Sequence, residues 1–236
     1  MVLMSAVNAG DAKAALAIGN DTDFPDLSFV SPEATRLHKQ LLKQSLPATL
    51  KVIESDSIES ALVQSLDYRV LCALYKSQRG VEQINRFIES RLVRLGHMQP
   101  NQLWYKGRPI LIMRNNPGTG LYNGDTGLIW PDDKGNMMAW FADTDNNVRP
   151  VAPGRLPTHQ TCYAMTVHKT QGSEFTRVLL VLPNSPHALL SRDLLYTGIT
   201  RARSSAEVYG SEDAISQGCE TKRERASGLQ DRLWGE

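Results

Sequence analysis

Residues 164–182 read Ala164-Met165-Thr166-Val167-His168-Lys169-Thr170-Gln171-Gly172-Ser173-Glu174-Phe175-Thr176-Arg177-Val178-Leu179-Leu180-Val181-Leu182. The second part, Arg177–Leu182, is a nearly continuous apolar run stopped by Pro183, the pattern of a strand buried on both faces of a parallel sheet. Polar residues and a glycine crowd the stretch before it. Density of that kind between core elements predicts a turn that lines a site at the edge of the sheet.

Working outward, Ser191 is placed to cap a helix with Leu194, Leu195 and Ile199 on one face, and Ala206–Tyr209 reads as a last strand. On the N-terminal side, Tyr68–Leu74 predicts another buried strand. Ser77–Gly80 breaks it, and Val81, Ile84, Ile88, Leu92 and Leu95 mark a helix ending near Gly96. Strand, turn and helix in that order favour an α/β sheet. Further back the chain reads as mainly helical: an Ala-rich segment from Ala12 to Ile18, a loop marked by Pro25 and Pro32, then helical spacing through Leu37, Leu41, Leu42 and Leu46 and again through Ile58, Leu62 and Leu66.

Composition changes between Trp104 and Pro157. Three short apolar runs, Pro109–Met113, Thr126–Trp130 and Met137–Phe141, are separated by turns at Asn116-Pro117-Gly118, Asn123-Gly124-Asp125 and Asp132–Gly135. Several strands in so short a span predict an inserted, strongly bent β module.

The chain has 236 residues, 41% of them hydrophobic, enough for one large domain or two small ones with a real core. No apolar run approaches the roughly 20 residues of a spanning helix, so an integral membrane protein of that kind is excluded. The first ten residues lack the basic start and long apolar stretch of a secretory signal. Cys72, Cys162 and Cys219 are far apart and form no Cys-x-x-Cys pair, which suggests neither zinc nor a disulfide framework and fits a reducing, cytoplasmic setting. A net charge of +1 means that any nucleic-acid binding must come from local patches. The five histidines are scattered without metal-ligand spacing, and Ser173 and Ser191 lack a nucleophile-elbow pattern.

A second polar segment stands out, Leu195–Arg203, in which Arg201 and Arg203 follow a helix of small residues. A guanidinium fork suits a phosphate oxygen. The two segments, "TVHKTQGSEF" (166–175) and "YTGITRAR" (196–203), resemble motifs V and VI of superfamily 1 DNA helicases, and their wording is similar to the RecD branch. "LDYRVLCAL" (66–74) and "GVEQINRFIE" (80–89) extend the resemblance, and "WYKGRPILIMRNN" with "GLYNGDTGLI" (104–129) is similar to that branch's SH3-like insertion. "TKRERASGLQDRL" (221–233) resembles its C-terminal tail.

The resemblance implies a second RecA-like α/β domain of the P-loop NTPase type, without its own phosphate loop, interrupted by a small SH3-like β-barrel. The expected divisions are residues 1–102, 103–157 and 158–236. It also implies roles. Arg201 would contact the γ-phosphate of ATP, with Arg203 beside it or merely in a surface ion pair. Glu174 would reach the nucleotide sugar, and Gly172 would allow close backbone approach. Thr166, His168 and, more weakly, Lys169 would meet the DNA strand; taken alone, His168 would pass for a structural histidine. Arg108 and Arg114 belong to a basic stretch next to Trp104 and Tyr105, which is either a solvated face or a groove tracking single-stranded DNA. The implied activity is ATP- and Mg2+-dependent 5′-to-3′ translocation in an exodeoxyribonuclease V with RecB-like and RecC-like partners, acting in double-strand-break repair and recombination.

No Gly-x-x-x-x-Gly-Lys-Ser/Thr loop occurs in the 236 residues, and no Asp-Glu pair follows an apolar strand. Phosphate loop and Mg2+ ligands are therefore expected from a first RecA-like domain outside these residues, in cis or in trans. The chain alone is expected not to hydrolyse ATP. The opposing reading is a non-catalytic remnant that only binds DNA or a partner.

Overall fold

The computed structural model describes residues 2–21, 23–33, 35–143, 147–170 and 172–222. Most of the segment 221–233 lies outside them.

The chain begins with two short helices, α1 (Val2–Ala9) and α2 (Ala12–Gly19), the second capped by Asp11, whose carboxylate accepts from the Ala14 N–H. Strand β1 (Leu27–Val30) follows. A continuous helical stretch then runs through α3 (Leu37–Gln40), a π-helical turn (Leu41–Ser45) and α4 (Leu46–Ile53). Pro47 has no N–H to give to the carbonyl four residues back and its ring crowds that carbonyl, which gives the widened turn a cause. Ser57 caps α5 (Ile58–Gln64), which leads into β2 (Tyr68–Cys72). Helix α6 (Val81–Arg94) ends as its sequence predicts. Gly96 takes φ +80°, and the His97 and Gly96 N–H groups donate to the Leu92 and Val93 carbonyls, a Schellman ending.

Five antiparallel strands come next: β3 (Pro109–Ile112), β4 (Thr126–Pro131), β5 (Met137–Ala142), β6 (Val148–Val151) and β7 (His159–Thr161). The α/β pattern resumes with β8 (Ala164–Thr166), a 3-10 turn (Val167–Thr170), β9 (Phe175–Val181), α7 (Arg192–Ile199), β10 (Ala202–Tyr209) and α8 (Glu212–Glu220).

The strands form two sheets. In the first the order is β1-β10-β9-β2-β8 and every pairing is parallel. In the second the order is β6-β5-β4-β3-β7 and every pairing is antiparallel. Its last strand lies beyond residue 157, so the antiparallel sheet takes residues from both sides of that expected division.

Alternation along β9 explains why the parallel sheet is covered on both faces. Val178, Leu180 and Leu182 pack with residues of α1, α2, α7 and α8 on one side. Leu179 and Val181 pack with Leu41, Ile84, Ile88 and Leu92 on the other. The antiparallel sheet has its own core around Ile110, Ile112, Ile129 and Phe141. Its other face, through Leu128 and Trp130, rests on Val52, Ile58 and Ala61 of α4 and α5. The result is a three-layer α/β body with a second sheet seated against its helices. Among the described residues no helix is long and apolar enough to cross a membrane.

Candidate functional site

The 3-10 turn after β8 is held by its two inward residues. Val167 and Thr170 are buried, and the Thr170 hydroxyl donates to the Val167 carbonyl at 2.6 Å. That geometry turns His168 outward into solvent and leaves Thr166 and Lys169 half-buried. Lys169 then reaches across to the second sheet, where its Nζ donates to Asn123 Oδ1 at 2.9 Å in the turn before β4. Gly172 has φ +85°, a left-handed conformation, and a Cβ built there would meet nothing within 4 Å. The backbone at this point is both strained for other residues and open.

Four of the expected residues come together where β9 and β10 begin. The Arg201 carbonyl accepts from the Phe175 N–H at 2.8 Å. Its guanidinium donates from Nη1 to the Ser173 carbonyl at 3.2 Å and from Nε to the Thr197 carbonyl at 3.3 Å. Arg203 Nε donates to Glu174 Oε2 at 3.0 Å, an exposed ion pair. Gly172, Glu174, Arg201 and Arg203 thus form one patch at the N-terminal ends of the two strands. Thr166 lies at the opposite, C-terminal end of β8, and the short crossover 167–174 joins the two edges.

The basic stretch divides. Arg114 is exposed. Arg108 is buried, with Nε donating to Thr161 Oγ1 at 3.0 Å, Nη1 donating to the Leu103 carbonyl, and its charge over the Trp104 ring at 5.8 Å. Tyr105 is 2% exposed and its hydroxyl lies 2.9 Å from that of Tyr163 and 3.2 Å from Glu89 Oε1. Burial, reinforced by the Glu89 charge, pushes the Tyr105 phenol above its ordinary range. Arg108, Trp104 and Tyr105 therefore form a packed junction between α6 and the antiparallel sheet. A groove displaying Arg108 and Tyr105 to a DNA strand is not what this geometry provides, because the chain's own carbonyls and hydroxyls occupy those groups.

A cleft of about 560 Å³ that sequence reading missed opens between α5, the start of β2 and the antiparallel sheet. Val63, Leu66, Arg69, Tyr122, Arg149 and Ser173 are among its lining residues, and Val63 and Tyr122 are well exposed. The only sequence signal was an aromatic residue directly before the Asn123-Gly124 turn. Among the described residues no group of three His, Cys, Asp or Glu side chains could hold a metal ion.

Comparison with known proteins defines the class first. The family described as the UvrD-like helicase C-terminal domain matches residues 161–209, which contain both polar segments and the patch they build. The particular relatives follow. The chain is 35% identical over 233 residues to the RecBCD enzyme subunit RecD of Mycobacterium tuberculosis, covering 98% of this chain and 40% of the relative. It is 36% identical over 192 residues to that of Haemophilus influenzae, covering 80% and 29%. The chain corresponds to a RecD-type helicase portion that carries the UvrD-like C-terminal domain. It spans about two fifths of the length of the first of these relatives. Among solved structures, the Bacteroides Pif1 helicase in complex with ADP-AlF3 and ssDNA aligns at a TM-score of 0.42 and 16% identity, covering 85% of this chain and 54% of that one.

Proposed function

We propose that this chain supplies the arginine-bearing part of a RecD-like, ATP-dependent DNA helicase motor. The observation that carries the reading is the convergence of Arg201, Arg203, Glu174 and Gly172 on one patch at the start of β9 and β10. Two guanidinium groups beside an open glycine turn fit the phosphates of a nucleotide held against this edge. In this reading, as the RecD resemblance implies, Mg2+ and the phosphate loop are supplied by a partner motor domain. Bound there, ATP supplies the energy of phosphoryl transfer.

The chain's own residues then have separable tasks. Arg201, held by the Ser173 and Thr197 carbonyls, retains further N–H donors for γ-phosphate oxygens. An arginine so placed is worth roughly 10³–10⁵ in rate. Glu174 binds the sugar hydroxyls once Arg203 releases it. Gly172 lets the backbone approach. Thr166, His168, Lys169 and Arg114 contact single-stranded DNA, moved with 5′-to-3′ polarity. The antiparallel sheet serves as an SH3-like barrel, inserted at about residues 103–157 between the two parts of the RecA-like domain, with β7 just past that span as the strand that closes the sheet. In this reading the assembly is an exodeoxyribonuclease V with RecB-like and RecC-like subunits, working in double-strand-break repair and recombination. Without the first motor domain the chain does not hydrolyse ATP.

The test is a DNA-stimulated ATPase measurement on the chain joined to, or mixed with, a phosphate-loop domain of a RecD-type relative. Activity in that reconstitution, absent from the chain alone and abolished by Arg201→Ala, supports the motor reading. DNA binding without ATPase activity, indifferent to Arg201→Ala, leaves a non-catalytic binding protein instead.

A further inference from the structure

The C-terminal edge of the parallel sheet carries a second polar loop beside the turn that holds Thr166 and His168. Strands β2 and β8 pair in register there, with Cys72 opposite Thr166, and both strands end at that pair. Neighbouring strands lie about 4.8 Å apart, so the chain leaving β2 emerges next to the 3-10 turn. Residues 73–80, which join β2 to α6, contain Lys76 and Arg79 and no acid.

Tyr75 in this loop is 42% exposed. Its hydroxyl donates to Gln160 Oε1 at 3.2 Å on β7, which ties the tip of the ring to the antiparallel sheet. Its backbone is tied to α6. The Glu82 N–H donates to the Tyr75 carbonyl at 3.3 Å, and the Val81 N–H donates to the Leu74 carbonyl at 3.2 Å. A Cβ built at Gly80 would lie 2.5 Å from that Tyr75 oxygen, so the loop closes tightly on the first turn of the helix. Among the described residues no other ring or cation is stacked on the Tyr75 ring. An exposed aromatic held at both ends gives up little further freedom when something stacks on it. Of the two cations, Arg79 is folded over the Tyr209 ring at 5.1 Å. Lys76 is exposed and has no carboxylate within 4.0 Å among the described residues.

We propose that Tyr75 and Lys76 form a base-stacking and phosphate contact for single-stranded DNA, extending the edge begun by Thr166 and His168. The ring takes one unpaired base on its face, and the neighbouring ammonium meets a backbone phosphate. Stacking of this kind accepts any base, because each has a π-face, and a duplex would hide those faces. The inference rests on the reading above that single-stranded DNA passes along this edge. It goes further by requiring a contact to the base itself.

The test compares the 236-residue chain and its variants on two strands of equal length. One is oligothymidylate; the other is abasic, with the phosphates and without the bases. Tyr75→Ala should weaken oligothymidylate binding by roughly 5- to 100-fold and leave the abasic strand's affinity and the salt slope unchanged. Tyr75→Phe, which keeps the ring and loses only the bond to Gln160, should retain most of the affinity. Lys76→Ala should weaken binding of both strands and lower the slope of log affinity against log salt by about 0.7. An equal loss on both strands for Tyr75→Ala, or no loss on oligothymidylate, overturns the stacking contact. An unchanged slope for Lys76→Ala overturns the phosphate contact. If the chain binds neither strand, the DNA edge falls and this inference with it, whereas binding indifferent to Tyr75 removes this inference alone.

Discussion

The Arg201 guanidinium donates from Nη1 to the Ser173 carbonyl at 3.2 Å, so the arginine is fastened to the turn that carries Glu174. Its backbone is fastened too, by the Phe175 N–H donating to the Arg201 carbonyl. The side chain is positioned by carbonyls and remains free of any carboxylate among the described residues, which leaves its charge for a ligand. Arg201→Ala should lower reconstituted ATPase activity by roughly 10³-fold or more. The stability loss should stay near about 1 kcal/mol, the net value of two half-exposed hydrogen bonds. Steady-state turnover and urea unfolding of the same preparation separate the two effects.

Arg108 and Arg114 are neighbours in the basic stretch but differ in burial. Arg108→Ala takes the side-chain donor from the Leu103 carbonyl in the junction, while the Thr161 hydroxyl keeps its bond to Glu89, and should cost about 1–3 kcal/mol. Arg114→Ala should change stability by less than about 0.5 kcal/mol. If Arg114 contacts a phosphate, its removal lowers the slope of log affinity against log salt by about 1. Thermal unfolding and a salt titration of single-strand binding check both.

Two glycines make an internally controlled pair. A Cβ at Gly127 would sit 2.5 Å from the Trp140 carbonyl oxygen and 2.6 Å from the Phe141 ring. Backbone and a buried ring cannot both retreat, so Gly127→Ala should cost about 2–3 kcal/mol. At Gly172 the space is open and only the positive φ resists a side chain, so Gly172→Ala should cost about 1 kcal/mol. Equal denaturant midpoints for the two variants would contradict this account.

What the sequence revealed follows from how local each signal is. The run 177–182 and the helix ending at Gly96 carry their periodicity and their stop within a few residues, and both form as read. Strand β1 was hidden in a segment framed by Pro25 and Pro32; four residues with only Leu27 buried become a strand because β10 offers an edge to pair with. Strand β6 contains Pro150, which argues against a strand except at an edge, and β6 is an edge. Arg201 and Glu174 could be named from their motifs, but their shared placement at the N-terminal ends of β9 and β10 depends on the short crossover from β8. Arg108 misled because a basic residue beside Trp104 looks like a display, and the Thr161 hydroxyl that holds it comes from a strand 53 residues further on.

Stability should fall on the alkaline side. Burial pushes the Cys219 thiol from about 9 up to about 11, and it also raises the Cys72 and Cys162 thiols and the Tyr68, Tyr105 and Tyr163 phenols. These groups lose their charge-forming proton less readily folded than unfolded. Below pH 9 both states keep the thiol protons and nothing is gained or lost. Between about pH 9 and 11 the unfolded chain releases protons that the folded chain retains, so unfolding is favoured as pH rises. Each such group adds about 1.4 kcal/mol per pH unit to the slope while only the unfolded form is ionised. Urea midpoints should therefore be flat from pH 7 to 8.5 and drop steeply by pH 10.5, with a shallower drop for Cys219→Ala. A midpoint that rises across this interval would contradict the burial of these side chains.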